Sequence, residues 1–291
     1  MRWSRPSWFG APEGWGVAAL LIFTLVAIVG YAVFGLHPQR VPEALLGFWR
    51  ISYNFFAQAH ILLGAGVLFW VLVLRAGLRW VPAALAVCLL SFLAEHLGTG
   101  TGLPFGEYEY THLLGAKIGG RVPWVIPLSW FLMALPAWLM ARATLPDAGQ
   151  WAPRIIFAAA LLTMWDLALD PAMSYQMPFY WRWADTGPYY GMPWINLAGW
   201  MATGVILMGA MEALGVRKWG AGLSSSWALA YYGATLLMPV GMLVVEGLWL
   251  ALAVTVLACA LAWGIHRKLS PASGGARTLP GPSPLAAGEG A

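Results

Sequence analysis

Asp166 and Asp170 stand one helical turn apart in an apolar segment, IIFAAALLTMWDLALDP, and Glu95 stands beside His96 at the end of another, VPAALAVCLLSFLAEH. A charge at membrane depth costs at least about 2.5–3.5 kcal/mol, so acids kept in such runs point to chemistry. The i, i+4 spacing puts the two aspartates on one helix face, with Cβ atoms about 5–6 Å apart. Two carboxylates that close in low dielectric resist ionising together, so one holds a proton near neutral pH and is a candidate general acid. The bland alternative for Asp170 is a helix stop before Pro171. Glu95 and His96 are adjacent, so on a helix they point about 100° apart and form no private pair. One faces a cavity while the other caps the helix end.

The elements that must position these groups are membrane helices. The chain has 291 residues, of which 60% are hydrophobic and 10% charged; a soluble domain carries roughly 25% charged residues. Several apolar runs are long enough to span a bilayer, which takes about 20 residues. The reading is an all-α, polytopic bundle of about eight spans at roughly 16–36, 54–74, 81–97, 123–141, 153–170, 192–214, 225–242 and 245–265, with seven as the alternative. Residues 224–265 form one apolar stretch, interrupted by Pro239, Gly241 and Glu246 and too long for a single span. Residues 1–15 read as a cytoplasmic segment, 16–268 as one membrane domain, and the Pro/Gly/Ser/Ala-rich 269–291 as a disordered tail. The nineteen Trp suit a membrane–water interface. Cys88 and Cys259 lie inside apolar runs and read as small buried residues. The basic residues are scattered in pairs between spans, which argues against a nucleic-acid partner.

Charge fixes an expected orientation. With the N-terminus in the cytoplasm, eleven Lys and Arg fall on the cytoplasmic side and five, Arg40, Arg50, Lys117, Arg121 and Arg182, on the other. That follows the positive-inside rule, and a seven-span count would break it at Arg267–Lys268. Glu95, His96, Asp166 and Asp170 then converge on the outer level of the bundle, with Glu246, His37 and His60 near them. The loops 98–122 and 171–191 emerge on the same side.

The first of these loops, GTGTGLPFGEYEYTHLLGAKIGGRVPW, has no GK[ST] and no preceding strand, so it is not a phosphate loop. It reads as a structured loop folding over a cavity, with Tyr108 and Tyr110 available to line it. The second, continuing to Trp200, carries Tyr175, Trp181, Trp183, Tyr189, Tyr190 and Asn196. Either these aromatics anchor the interface, or they wall a hydrophobic ligand and stabilise a cation by about 0.5–2 kcal/mol per ring; Trp165 stands beside Asp166. Five scattered histidines cannot supply the clusters of a di-iron site, and no spacing suggests three or four convergent zinc ligands.

The segments EHLGTGTGLPFGEYEYTHLLGAKIGGRVPWVIPLSW (95–130), WDLALDPAM (165–173) and WRWADTGPYYGMPWINLAGW (181–200) resemble the carotenoid biosynthesis membrane proteins of the CruF type. The resemblance covers about residues 50–265. It implies a carotenoid 1′,2′-hydratase of the cell membrane that adds water to the terminal double bond of an acyclic end group, of lycopene or γ-carotene type. Its partners would be the lipid-soluble carotenoid, water, membrane lipid and other carotenoid-biosynthesis enzymes. It implies no redox cofactor, in keeping with the lack of a Rossmann fingerprint or haem motif. The expected mechanism has Asp166 as proton donor, Asp170 keeping it protonated, and Glu95 with His96 handling the water. The Tyr and Trp residues named above shield the cation. The rival readings are a Mg-dependent intramembrane prenyltransferase, since DxxxD can hold a metal diphosphate, a proton-coupled transporter, and a structural partner of a pigment-making complex.

Overall fold

The computed structural model describes Trp8, residues 11–184 and residues 186–270. The expected disordered tail therefore lies almost wholly outside the described residues, as does most of the N-terminal segment. The described chain is a bundle of helices: α1 (Pro12–Gly30), α2 (Leu46–Ala76), α3 (Val81–Thr101), α4 (Val125–Thr144), α5 (Trp151–Ser174), α6 (Trp194–Ala213), the short α7 (Val216–Trp219), α8 (Ser225–Glu246) and α9 (Trp249–Leu269). All but α7 are long and apolar enough to cross a membrane, giving eight spans among the described residues. The protein is a multi-pass all-α bundle.

Burial ranks the helices. In α4, 72% of the apolar window is buried inside the protein, and in α5 67%, against 22% in α1 and 11% in α9. The acid-bearing α5 is thus a central helix, packed on α4, α6, α8 and α9. Buried phenols tie the interior across helices: Tyr231 donates to the Gly64 carbonyl at 2.9 Å and Tyr232 to that of Leu161 at 2.6 Å. Such interhelical bonds spare polar groups an unpaired place among apolar neighbours.

Several helix ends shift from the sequence expectation, most of all at α2, which begins at Leu46 rather than near residue 54; two of the shifts have a clear local reason. Pro171 does not end α5. Its missing N–H leaves the Leu167 carbonyl free, and the Tyr189 hydroxyl donates to that carbonyl at 2.8 Å, so the helix runs on to Ser174. Asp170 is therefore inside a helix and stops nothing. At the three expected interruptions in 224–265, α8 runs through Pro239 and Gly241 and ends at Glu246, with Gly247 as its cap. Gly247 adopts φ +73° and its N–H reaches back to the carbonyls of Leu243 and Val244, a left-handed cap that glycine adopts without a Cβ penalty.

The two long loops contain four short strands: β1 (Tyr108–Tyr110), β2 (Lys117–Ile118), β3 (Val122–Pro123) and β4 (Trp181–Trp183). β2 and β3 form a small hairpin. β1 and β4, from different loops, pair antiparallel with Tyr108 opposite Trp183, Glu109 opposite Arg182 and Tyr110 opposite Trp181. At the far end of the bundle, arginines latch the helices. Arg154 is fully buried and pairs with Glu212 at 2.9 Å, and Arg142 donates to the carbonyls of Gly220 and Leu223.

Candidate active site

Strand periodicity builds the roof of the site. Residues directly opposite in a ladder share a face, and successive residues alternate. Tyr108, Tyr110, Trp181 and Trp183 therefore point together into the bundle, while Glu109 and Arg182 point out and are exposed. The flanking bonds Ala184 N–H to Glu107 O and Thr111 N–H to Tyr180 O fix the alternation, making 108–183 and 110–181 the close, non-hydrogen-bonded pairs. Their rings touch: the Tyr108 and Trp183 centroids are 5.2 Å apart and those of Tyr110 and Trp181 6.1 Å apart. Gly98 makes room for this layer, since a Cβ there would come within 2.9 Å of Phe105 and 3.3 Å of Tyr108.

Beneath the roof lies a chamber of about 50 Å³, lined by Glu95, Asp166 and Asp170 together with Phe105, Trp130, Trp165, Asn196, Trp200 and the four roof aromatics. All three carboxylates are buried, at 4%, 1% and 2% exposure. Their hydrogen bonds differ. Glu95 accepts from three donors: Tyr108 and Tyr110 on Oε2, the latter at 2.8 Å, and Trp130 Nε1 on Oε1 at 2.9 Å. Asp170 accepts on Oδ1 from Ser174 at 2.7 Å and Trp183 at 3.0 Å, and on Oδ2 from Asn196 at 3.4 Å. Among the described residues Asp166 accepts only from Asn196, on Oδ2 at 2.7 Å, and its Oδ1 is buried with no partner there. Two of the acids are held as acceptors by several N–H and O–H groups; the third is nearly bare. The roof phenols remain donors, because burial first, and then the charge of Glu95, pushes Tyr108 and Tyr110 well above the usual phenol range.

Of the residues singled out from sequence, Glu95, Tyr108, Tyr110, Trp165, Asp166, Asp170, Trp181, Trp183 and Asn196 all line this chamber. Four stand elsewhere. His96 stacks on Phe92 at 5.5 Å, on a different face of α3 from Glu95. Tyr175 is 47% exposed and meets the edge of Tyr190. Tyr189 supports α5 through Leu167, and the Tyr190 hydroxyl accepts from the backbone of Ala251 in α9. The sequence reading missed Trp130, Ser174, Trp200 and Phe105. The YEY and WRW triplets alternate aromatic and charged residues, but three residues apiece are too few to mark a strand.

A multi-pass membrane protein with a buried chamber of three carboxylates, roofed by aromatic donors from two loops, is the class that fold and site define. The chain belongs to the carotenoid biosynthesis protein family, whose profile matches residues 56–262. It is 34% identical over 139 residues to the bisanhydrobacterioruberin hydratase of Haloarcula japonica. That stretch covers 45% of this chain and 43% of the relative, so the match spans less than half of either protein. No solved structure matches the chain.

Proposed function

We propose that the protein is a carotenoid hydratase of the cell membrane that adds water to the terminal trisubstituted alkene of an acyclic end group. The observation that carries this reading is the unequal donor supply to three carboxylates in one chamber. A carboxyl group with few donors holds a proton at least cost, and one accepting several donors is best as the anion. Asp166 is therefore the acid, with the proton on its unpartnered Oδ1, and Asp170 and Glu95 are carboxylates.

The reaction balances without a redox step. Asp166 gives its proton to C2′ as the π bond breaks, leaving a tertiary cation at C1′. The indoles of Trp165, Trp181 and Trp183, which line the chamber, supply aromatic surface near that cation, and the carboxylates of Asp170 and Glu95 offset its charge in a low-dielectric site. Water then adds at C1′ and loses a proton to Glu95, giving the tertiary alcohol. Return of that proton to Asp166 through solvent restores the starting state. The buried, unpartnered indole N–H of Trp165, beside Asp166 in sequence, is a donor that suits the water. His96 has no part in this scheme, because it does not line the chamber.

Among the described residues no Lys or Arg lines the chamber, whereas a prenyl diphosphate calls for such cations. Arg182, one of those available in sequence, lies over the Phe179 ring at 5.3 Å on the outward face of the ladder. We further place the acid end of the bundle away from the cytoplasm by the positive-inside rule. The test is expression in a lycopene-producing host with pigment analysis: the wild type is expected to yield a tertiary alcohol, and Asp166→Asn and Glu95→Gln to leave the alkene intact. Wild-type product levels in both variants would sink the assignment.

A further inference from the structure

A second cavity, of about 310 Å³, lies between α1, α2, α5 and α8 and is lined by groups such as Phe34, Trp49, Phe56, Ile61, Met238 and Met242. Most of its polar side chains are engaged within the protein, and His60, which also lines it, bonds Thr24 through Nε2 at 3.1 Å. Tyr31 donates to Glu246 at 2.7 Å, Tyr53 to the Gly35 carbonyl at 2.7 Å and Tyr180 to that of Tyr53 at 3.2 Å. Ser52, Ser129 and Thr235 likewise donate to backbone carbonyls of their own helices. What faces the interior is hydrocarbon and ring surface, a lining that suits an apolar ligand and offers little to a polar one.

The cavity has two ends. At one, Val26, Phe34, Leu45 and Phe48 line it and are also 40–56% exposed on the outside of the bundle, so it opens sideways between α1 and α2, where lipid surrounds a membrane helix. At the other end it meets the acid chamber, with which it shares Ile126, Ser129, Trp165, Leu169 and Trp181. An apolar passage therefore leads from lipid to carboxylates, with two indoles at the junction.

We infer that this cavity is the slot for the linear polyene, which enters laterally between α1 and α2 and passes only its terminal alkene between Trp165 and Trp181 into the acid chamber. The inference rests on the hydratase reading for the chemistry at the inner end, and on the cavity alone for the binding. Pockets near 300 Å³ are at the small end of those that enclose a drug-sized ligand, so a long polyene has one end inside and its remainder in the lipid. An acyl chain is the rival occupant; it has no use for a junction with three carboxylates.

The experiment traps substrate in the full-length Asp166→Asn protein, purified in detergent from a lycopene-producing host, and measures bound lycopene per protein by absorbance. Adding Ala57→Trp or Met242→Trp fills the slot, while Leu93→Trp, on the exposed face of α3, is the control. Both filled variants are expected to lose lycopene at least about tenfold and the control to keep it. The same filled variants, with Asp166 restored, are expected to stop making the alcohol. A mutation-free arm adds squalane, a saturated isoprenoid without an alkene, which is expected to displace lycopene from the unfilled protein. If a folded filled variant keeps its lycopene, or if squalane displaces none, the slot is refuted. Loss of phospholipid with lycopene retained assigns the cavity to an acyl chain and also refutes it. If filling removes lycopene but the wild type never makes the alcohol, the slot stands and the hydratase reading falls.

Discussion

Tyr108 and Trp183 face each other across the β1–β4 ladder, and each donates a hydrogen bond to a carboxylate on a different helix: Tyr108 to Glu95 of α3 and Trp183 to Asp170 of α5. One backbone pairing thus sets the hydrogen bonding of two acids that are 75 residues apart in the chain. The ladder is a positioning device, and breaking it should cost activity without touching any group in the chamber. Arg182 sits opposite Glu109 in the hydrogen-bonded register with its side chain outside. Arg182→Pro removes a ladder donor and is expected to lower product at least about tenfold, whereas Arg182→Lys keeps it; pigment analysis of the two strains checks the contrast.

Asn196 is the only described donor to Asp166 and also reaches Asp170. Asn196→Ala leaves one buried carboxyl without any protein donor, at a cost of about 1–3 kcal/mol. If that cost falls on the transition state, turnover drops on the order of 10- to 100-fold with little change in the substrate concentration needed. Kinetics in proteoliposomes would show it, and an effect on apparent affinity alone would contradict the role given to Asn196.

The roof tyrosines make a prediction about alkali. Tyr108 and Tyr110 are raised well above the phenol range by burial and by Glu95, so the folded protein keeps protons that an unfolded chain releases above about pH 10. Their contribution to stability is present below that pH and fades as pH rises past it. Tyrosinate absorbance of the folded protein just above pH 10 should be the same for wild type and Tyr108→Phe. A signal smaller by one tyrosinate in the variant would show that Tyr108 ionises freely.

At the opposite end, Glu212 is the partner of the fully buried Arg154 and also accepts from Trp138. Glu212→Gln leaves a buried guanidinium without its counter-charge, which costs roughly 3–5 kcal/mol in buried pairs. Thermal aggregation in detergent should begin at a lower temperature. Arg154→Met with Glu212→Met should recover most of the loss, because no lone charge remains.

Helix number and the shared level of the acids were legible because hydropathy and the placement of Lys and Arg are written locally in the chain. The chamber residues Glu95, Asp166 and Asp170 were legible because charge in an apolar run is conspicuous. The ladder was not, since strands of three residues carry too little pattern to announce a partner about 70 residues away. Trp130 in an apolar run reads as an interface anchor, and only the packing of α4 on α3 turns its N–H to Glu95. Aromatic density marked the second loop without telling Trp181 and Trp183, which face inward, from Tyr175 and Tyr190, which brace the outside. The apolar cavity arises from α1, α2, α5 and α8, elements far apart in sequence, so no single segment could reveal it.

The ladder also limits how the site can be reached. The strands that cover the chamber from above are those whose side chains donate to Glu95 and Asp170. Lifting them to admit a molecule from the aqueous side would take Tyr108 and Tyr110 from Glu95 and Trp183 from Asp170 at once, leaving Glu95 with Trp130 and Asp170 with Ser174 and Asn196 among the described donors. A side door through the helices leaves that cover shut. On the hydratase reading, substrate can therefore come and go with the cover shut, and only the proton of Asp166 has to be restored in each cycle.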